Sequence, residues 1–198
     1  MRALSPATLA ALAAHQIVAR PLIWIRATDR TTGDEAPIGF WTGEEHRDFV
    51  VSGETRAYYG AGNVLGIDAI TYQTGLAVRM QRVRLSAISN EAALAIRGYE
   101  PRHAPVEIHR ALFDPLTCQL VDAPHRLFKG FIDTIRIATG AIDGQSSLEV
   151  NLASSARALT VGLSRKRSDE ALRAGAPADG FRKYATIAGT ITTKWGTR

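Results

Sequence analysis

Short runs of strand-forming residues, each closed by a turn signal, occupy most of this chain of 198 residues and constrain its fold more than any other feature. Strong β-formers stand at 23–26, and Ser52-Gly53-Glu54 marks a tight turn between two further runs. Leu148, Val150 and Leu152 alternate with polar or small residues, as in a strand with one buried face. Because no long crossover helix separates the runs, the sequence predicts a mainly β protein with antiparallel sheets, folded as a barrel or a sandwich.

A few helices accompany the predicted strands. Ser5 is a good N-cap and Pro6 suits the first helical position, so an N-terminal helix is predicted over about 5–16. One or two further short helices are predicted, one over 90–96 and one that begins after Ser168.

The composition predicts a globular protein that needs neither a metal nor a disulfide to fold. Hydrophobic residues make up 45% and charged residues 22% of the chain, close to ordinary soluble usage. Cys118 is the only cysteine, which excludes an internal disulfide framework and any Cys-rich metal site and suits a reducing cytoplasm. The alanine-rich N-terminal stretch is too short and too weakly apolar to span a bilayer. We expect no cofactor, no metal and no membrane anchor.

Candidate catalytic groups are few and poorly combined. Cys118 and His125, across a predicted hairpin, come nearest to a nucleophile and its base, but a lone cysteine in a β segment is more often a small buried residue. The five histidines show no metal-ligand spacing. Glu44-Glu45-His46-Arg47-Asp48 mixes acid, base and cation, yet charged loops are usually only solvated. No enzyme class emerges, and we expect the protein not to be an enzyme.

The C-terminal part of the chain differs from the rest in composition. A polar segment begins at Ser164, so we predict a β-rich body over 1–163 and an extended arm over 164–198. The net charge is +5, and the one basic run is not interleaved with aromatic residues. A solvated surface or an acidic protein partner is therefore favoured over dedicated nucleic-acid binding. We expect the arm to contact neighbouring subunits through Arg165, Lys166, Arg167, Tyr184, Ile191 and Trp195.

Several short motifs follow one another in an order typical of one protein family. They are Gly39-Phe40-Trp41-Thr42, His46-Arg47-Asp48-Phe49, Gly53 to Tyr58, Gly75-Leu76-Ala77-Val78, Val106-Glu107-Ile108, Phe113-Asp114-Pro115 and Leu127-Phe128-Lys129-Gly130-Phe131-Ile132. In this order, over about residues 1–165, the chain resembles the tail-tip or baseplate hub proteins of siphophages and of related gene transfer agents. Its C-terminal part, with Arg167-Ser168-Asp169 and Trp195-Gly196, resembles the corresponding part of phage minor tail proteins.

The resemblance implies a virion structural protein of the tail tip, assembled in the cytoplasm of the bacterial host. It implies a homo-oligomeric ring, threefold or sixfold, that links the tail tube to distal hub or fibre proteins. The implied neighbours are the distal tail, tail tube, tape measure, and hub or fibre proteins. A Cys-rich region that supplies metal-cluster ligands in part of the family has no counterpart in this chain.

Two other functions stay open from the sequence. The first is a carbohydrate- or receptor-binding β-module of the tail, in which Trp41 and Tyr58 form an exposed surface for contact. The second is a peptidoglycan-cleaving tail enzyme, which would depend on Cys118 or on one of the histidines.

Overall fold

A computed structural model of the chain confirms the mainly antiparallel β architecture. It describes residues 4–14, 17–60, 64–72, 75, 77–86, 98–138, 146–160, 168–184, 187, 189–190, 192 and 196. The predicted helix over 90–96 lies outside the described residues. The chain divides into two units, Met1–Ala158 and Leu159–Arg198, which we describe separately and call the body and the C-terminal unit.

The described residues up to Leu159 contain one α-helix, ten strands and one 3-10 helix. The α-helix is α1 (Pro6–Ala13), and the 3-10 helix spans Ser155–Leu159. The strands are β1 (Val18–Asp29), β2 (Glu35–Trp41), β3 (Arg47–Val51), β4 (Glu54–Tyr58), β5 (Val64–Ile67), β6 (Met80–Ser86), β7 (Tyr99–Glu100), β8 (Pro105–Phe113), β9 (His125–Ala138) and β10 (Ser147–Ser154).

Helix α1 begins as the sequence predicts, but it is held by polar contacts. The Ser5 hydroxyl caps the helix by accepting a hydrogen bond from the Thr8 amide at 3.2 Å. The buried Thr8 hydroxyl donates to Asp122 Oδ2 at 3.1 Å, and Leu9 and Leu12 remain exposed. The Ser5 hydrogen bond to Asp122 is the main reason that the pKa of Asp122 is lowered. Directional hydrogen bonds, rather than apolar burial, therefore position this helix.

Eight strands form one antiparallel sheet in the order β2-β1-β8-β9-β10-β6-β5, with the short β7 also paired to β1. Strand β1 lies beside β2 on one side and β8 on the other, so that Ile23 is opposite both Phe40 and Ile108. The β1–β2 pair is a hairpin of segments that follow each other in the chain, whereas the β1–β8 pair joins segments far apart in the chain. These two neighbours make β1 a central strand of the sheet.

One face of this sheet buries the larger, inner core. Its fully buried members include Ile23 and Phe40 from β1 and β2, and Val83 and Leu85 from β6 at the other end of the strand order. Strands distant in the order therefore share one core, which requires the sheet to curve strongly around it. Burial of each large aliphatic or aromatic side chain contributes about 1.5–3 kcal/mol to folding. Gly130 is needed in this sheet because a Cβ there would collide with the Ala153 backbone carbonyl on β10.

The opposite face of β1 and β8 is covered by the β3–β4 hairpin, which creates a second, outer core. Ser52 and Gly53 have φ of 54° and 85°, which confirms the predicted tight turn. Phe49 and Tyr58 from the hairpin pack with Leu22, Trp24, Trp41, Val51, Ala111 and Phe113. Because both faces of β1 are covered, the whole apolar run at 22–25 is buried.

The C-terminal unit contains a short helix, α2 (Asp169–Arg173), capped by Ser168 as predicted. None of its described residues is buried. Charge also separates the two units, since the body has sixteen basic and sixteen acidic residues whereas the C-terminal unit has eight and three. The body thus has a net charge of 0, and the whole excess of +5 belongs to the C-terminal unit.

Candidate functional site

Trp41 and Tyr58, expected as an exposed contact surface, are buried in the outer core. Only 7% of Trp41 and 1% of Tyr58 is exposed. The Trp41 ring packs against Phe49 at a centroid distance of 5.3 Å, and the Tyr58 ring packs against Trp24 at 5.4 Å. Tyr58 belongs to the β3–β4 hairpin and points into the outer core, where Phe49 of the same hairpin packs on Trp41, so neither side chain is available as a flat platform for a sugar ring.

Of the six residues predicted to form arm contacts, the structure describes only Tyr184. Tyr184 is 63% exposed, whereas Arg165, Lys166, Arg167, Ile191 and Trp195 lie outside the described residues. The structure adds Phe181, which is 88% exposed and was missed by sequence reasoning. Its signal is the sequence Phe181-Arg182-Lys183-Tyr184, in which two cations stand between two aromatic residues. The Lys183 ammonium lies 5.6 Å from the centre of the Tyr184 ring.

A cleft of about 560 Å³ opens in the body beside the loop that follows β2. The ends of β1, β2 and β8 bring Val18, Trp41 and Phe113 to its lining. The loops after β2 and β8 supply most of the other lining residues, namely Gly43, Glu44, Glu45, His46, Asp114, Pro115 and Cys118. Arg20 from β1 and Arg47 from the start of β3 complete the lining. Apolar rings and charged groups are therefore combined in one concave surface.

The acidic loop at the cleft is held in place by hydrogen bonds between side chains and backbone groups. The Trp41 indole Nε1 donates to the Glu45 carbonyl at 2.7 Å, and the Gly60 amide donates to His46 Nδ1 at 3.3 Å. The side chains of Glu44 and Glu45 are exposed, and neither forms an ion pair within the described part of the chain. A fixed backbone thus presents two carboxylates to solvent.

The other charged groups of the cleft have partners nearby. The Arg47 guanidinium lies over the Phe113 ring at 5.3 Å, and Arg20 Nη1 donates to the Thr42 carbonyl at 3.5 Å. Asp114 Oδ1 accepts hydrogen bonds from the Leu116 and Thr117 amides and so stabilises the turn after β8. Glu44 and Glu45 remain as the charges best placed to meet a partner.

Cys118 is exposed, so the expectation of a small buried cysteine was wrong. The predicted strand around it is a turn in which Cys118 has φ of 55°, and only Leu120 forms a bridge, with Phe113. The turn that begins at Asp114 carries Cys118 to the surface of the cleft. His125 Nε2 instead lies 3.2 Å from the Thr8 hydroxyl on α1. In the described residues Cys118 has no hydrogen-bonded histidine.

A second cluster of ionisable groups lies between the β3–β4 hairpin and β8. Arg56 donates to Glu107 Oε2 at 3.1 Å, and Arg126 donates to Glu107 Oε1 at 3.2 Å. Burial disfavours the Glu107 carboxylate, but Arg56, His109 and Arg126 outweigh that cost and lower its pKa. Burial lowers the pKa of His109 to about 4 and raises the pKa of Tyr58 to about 12. His109 and Tyr58 are thus neutral at pH 7.

Both buried neutral groups retain an unsatisfied polar atom. Within the described structure, His109 Nδ1 and the Tyr58 hydroxyl have no hydrogen-bond partner. His109 Nε2 lies 3.7 Å from Glu107 Oε2. The hairpin covers His109, whereas Arg126 remains 51% exposed, and the bond between Arg56 and Glu107 fixes the hairpin on the sheet.

Among the described residues, no group of three His, Cys, Asp or Glu side chains could hold a metal ion. No described helix has the length and apolar character needed to cross a bilayer. Comparison of the chain with models of known protein families and with curated proteins gave no match.

Proposed function

We propose that this chain is a structural, non-enzymatic component of a phage-type tail tip or baseplate. It assembles with copies of itself into a ring and links the tail tube to distal hub or fibre proteins. The assignment of this chain to a tail rests on the ordered motifs that resemble siphophage and gene transfer agent hub proteins. Assembly through the C-terminal unit rests on one structural observation, the absence of any buried residue among those described in that unit.

The exposed aromatic residues of the C-terminal unit support an assembly role. Phe181 and Tyr184 are 88% and 63% exposed, and both belong to a unit with a net charge of +5. Aromatic and arginine side chains are the residues that most often anchor protein interfaces. A segment of this composition gains little by standing alone, and it gains apolar burial when a partner covers it.

The ionisable cluster of the body supports a structural role in place of catalysis. Both Glu107 oxygens are already bound by arginines, and the hairpin covers His109, which is 1% exposed. A catalytic acid or base needs access to a substrate. These groups stabilise the outer core, where a substrate does not reach them.

Truncation after Leu163 tests the assembly role. We expect the truncated body to keep its β-sheet circular dichroism and its cooperative melting, because both cores lie within Met1–Ala158. We also expect it to fail to enter tails, or to form the ring, when it replaces the full chain during particle assembly. The full chain with Phe181→Ser and Tyr184→Ser is the matched variant and should show the same assembly defect. Normal assembly by both variants would exclude the C-terminal unit as the assembly element.

A separate experiment addresses the enzyme alternative. Cys118→Ser and His125→Gln, introduced together, should leave infectivity and peptidoglycan degradation by assembled particles unchanged, because the two side chains make no catalytic contact. Loss of degradation with normal assembly would assign an enzymatic role to this pair and contradict the proposal.

A further inference from the structure

We infer that the cleft of the body receives residues 181–184 from the C-terminal unit of a second copy of this chain. This contact rests on the proposed assembly function and gives it a specific binding site. The two surfaces are the cleft with Glu44 and Glu45 at its edge, and the aromatic-basic segment 181–184.

Charge complementarity favours a second copy as the occupant. The C-terminal unit carries the chain's whole excess of positive charge, and residues 181–184 place Arg182 and Lys183 side by side. Glu44 and Glu45 are likewise adjacent, exposed, and held by a fixed backbone. Exposed ion pairs add little affinity, but they steer association and select the register of docking. The two cations would therefore face the two carboxylates.

Burial of exposed apolar rings would supply the affinity. Trp41 and Phe113 line the cleft with only 7% of each residue exposed, so the larger gain would come from covering the exposed rings of Phe181 and Tyr184. The cleft volume of about 560 Å³ falls in the range of roughly 300–1,000 Å³ typical of specific binding pockets. Aromatic residues that fill a pocket at the centre of an interface, with polar residues at its rim, are the usual arrangement of an interface hot spot.

The geometry of such a contact also suits a ring. The donor segment and the acceptor cleft are different surfaces, so each copy would give one contact and receive another. A heterologous contact of this kind closes into a ring when the rotation between copies divides a full turn evenly. Every cleft in a closed ring would then be occupied.

Charge reversal tests the pairing in the full-length chain. Glu44→Lys with Glu45→Lys, or Arg182→Glu with Lys183→Glu, should each weaken self-association by about tenfold or more, because like charges would face each other. All four substitutions together should recover most of the association. Asp34→Lys with Glu35→Lys is the matched control, since it reverses two adjacent exposed carboxylates at the start of β2 and, among the described ion pairs, breaks only the exposed 3.7 Å pair between Glu35 and Arg26. Sedimentation velocity at low and high salt measures the association, and circular dichroism checks folding.

Cross-linking tests which copy supplies the segment. Cys118 is exposed and lines the cleft, and a Cβ at Gly180 meets no atom within 4 Å. Gly180→Cys, treated with a short bismaleimide, should join Cys118 to residue 180 of another chain and give covalent dimers and higher oligomers on a denaturing gel. Cys118→Ser with Gly180→Cys should lose the linkage at the cleft. A link formed only within one chain would overturn the assignment to a second copy.

The outcomes separate this inference from the proposed function. Loss of association in the Arg182 and Lys183 variant, with normal association in the Glu44 and Glu45 variant, would overturn the cleft as the receiving site but keep the assembly role. A full chain that stays monomeric at every concentration tested would overturn the contact between copies. Unchanged association after all of these substitutions, and after truncation at Leu163, would overturn both.

Discussion

The body and the C-terminal unit of this chain differ in where their apolar and charged residues lie. The body encloses two cores and balances its charges to a net of 0. The C-terminal unit buries none of its described residues and has a net charge of +5. A segment that buries little cannot repay the conformational entropy of ordering on its own. The body is therefore built for stability, and the C-terminal unit is suited to recognition.

The largest expected difference between the two units concerns apolar truncation. Ile108→Ala should lower the free energy of unfolding by about 4 kcal/mol, because Ile108 is fully buried at the centre of the inner core. Phe181→Ala removes a larger side chain but should change the free energy of unfolding by less than about 0.5 kcal/mol, because Phe181 is 88% exposed. Urea unfolding followed by circular dichroism measures both. Similar losses in the two variants would show that the C-terminal unit contributes to the folded core.

The second difference is a pH dependence that His109 gives to the body. Folding lowers the pKa of His109 from about 6.5 to about 4, so the unfolded chain binds more protons between these values. The free energy of unfolding should therefore fall as the pH is lowered through this window, by about 3 kcal/mol in total at pH 4. The lowered pKa of Glu107 acts in the same direction at the acidic end.

Urea titrations across this pH range measure the His109 effect. His109→Gln should flatten the dependence, even if it lowers stability at every pH, because it removes the titrating group. An equally steep profile in the His109→Gln variant would show that another group is responsible.

The smallest of the three differences compares an ion pair in each unit. Arg56→Met should lower the free energy of unfolding by about 2 kcal/mol, because it removes a hydrogen bond from Glu107, which is only 18% exposed. Arg173→Met breaks the 2.8 Å pair with Asp169 on α2 and should cost about 0.5 kcal/mol or less, since Arg173 is 45% exposed. Thermal melts of both variants provide the comparison. A larger cost for Arg173→Met would contradict the ranking.

Local signals in the sequence predicted the local structure. Ser5 and Ser168 cap helices because their hydroxyls accept hydrogen bonds from amides three residues ahead. Ser52 and Gly53 form a turn because glycine adopts a positive φ readily, which the tight hairpin requires. The antiparallel β character followed from the same kind of evidence, namely strand-forming runs with short connections.

Contacts between distant segments could not be predicted in this way. The pairing of β1 with β8 and the burial of Trp41 and Tyr58 depend on where the β3–β4 hairpin lies, which its own sequence does not specify. The sequence does contain one signal that something covers the second face of β1, namely the unbroken apolar run at 22–25. A central strand with two covered faces no longer alternates apolar and polar residues. The cleft also combines residues from separate segments, so Trp41, Cys118 and the acidic loop each stood out from the sequence but not as one site.

The close approach of Gly130 to strand β10 has a consequence for mutational tolerance. Most positions inside a strand accept several β-branched or aromatic residues, but any side chain at 130 would force β9 away from the Ala153 carbonyl. A saturation library selected for folding should therefore recover glycine almost alone at this position, while its neighbours on β9 vary. Divergent chains that keep this sheet would be expected to keep that glycine after much of the surrounding sequence has changed.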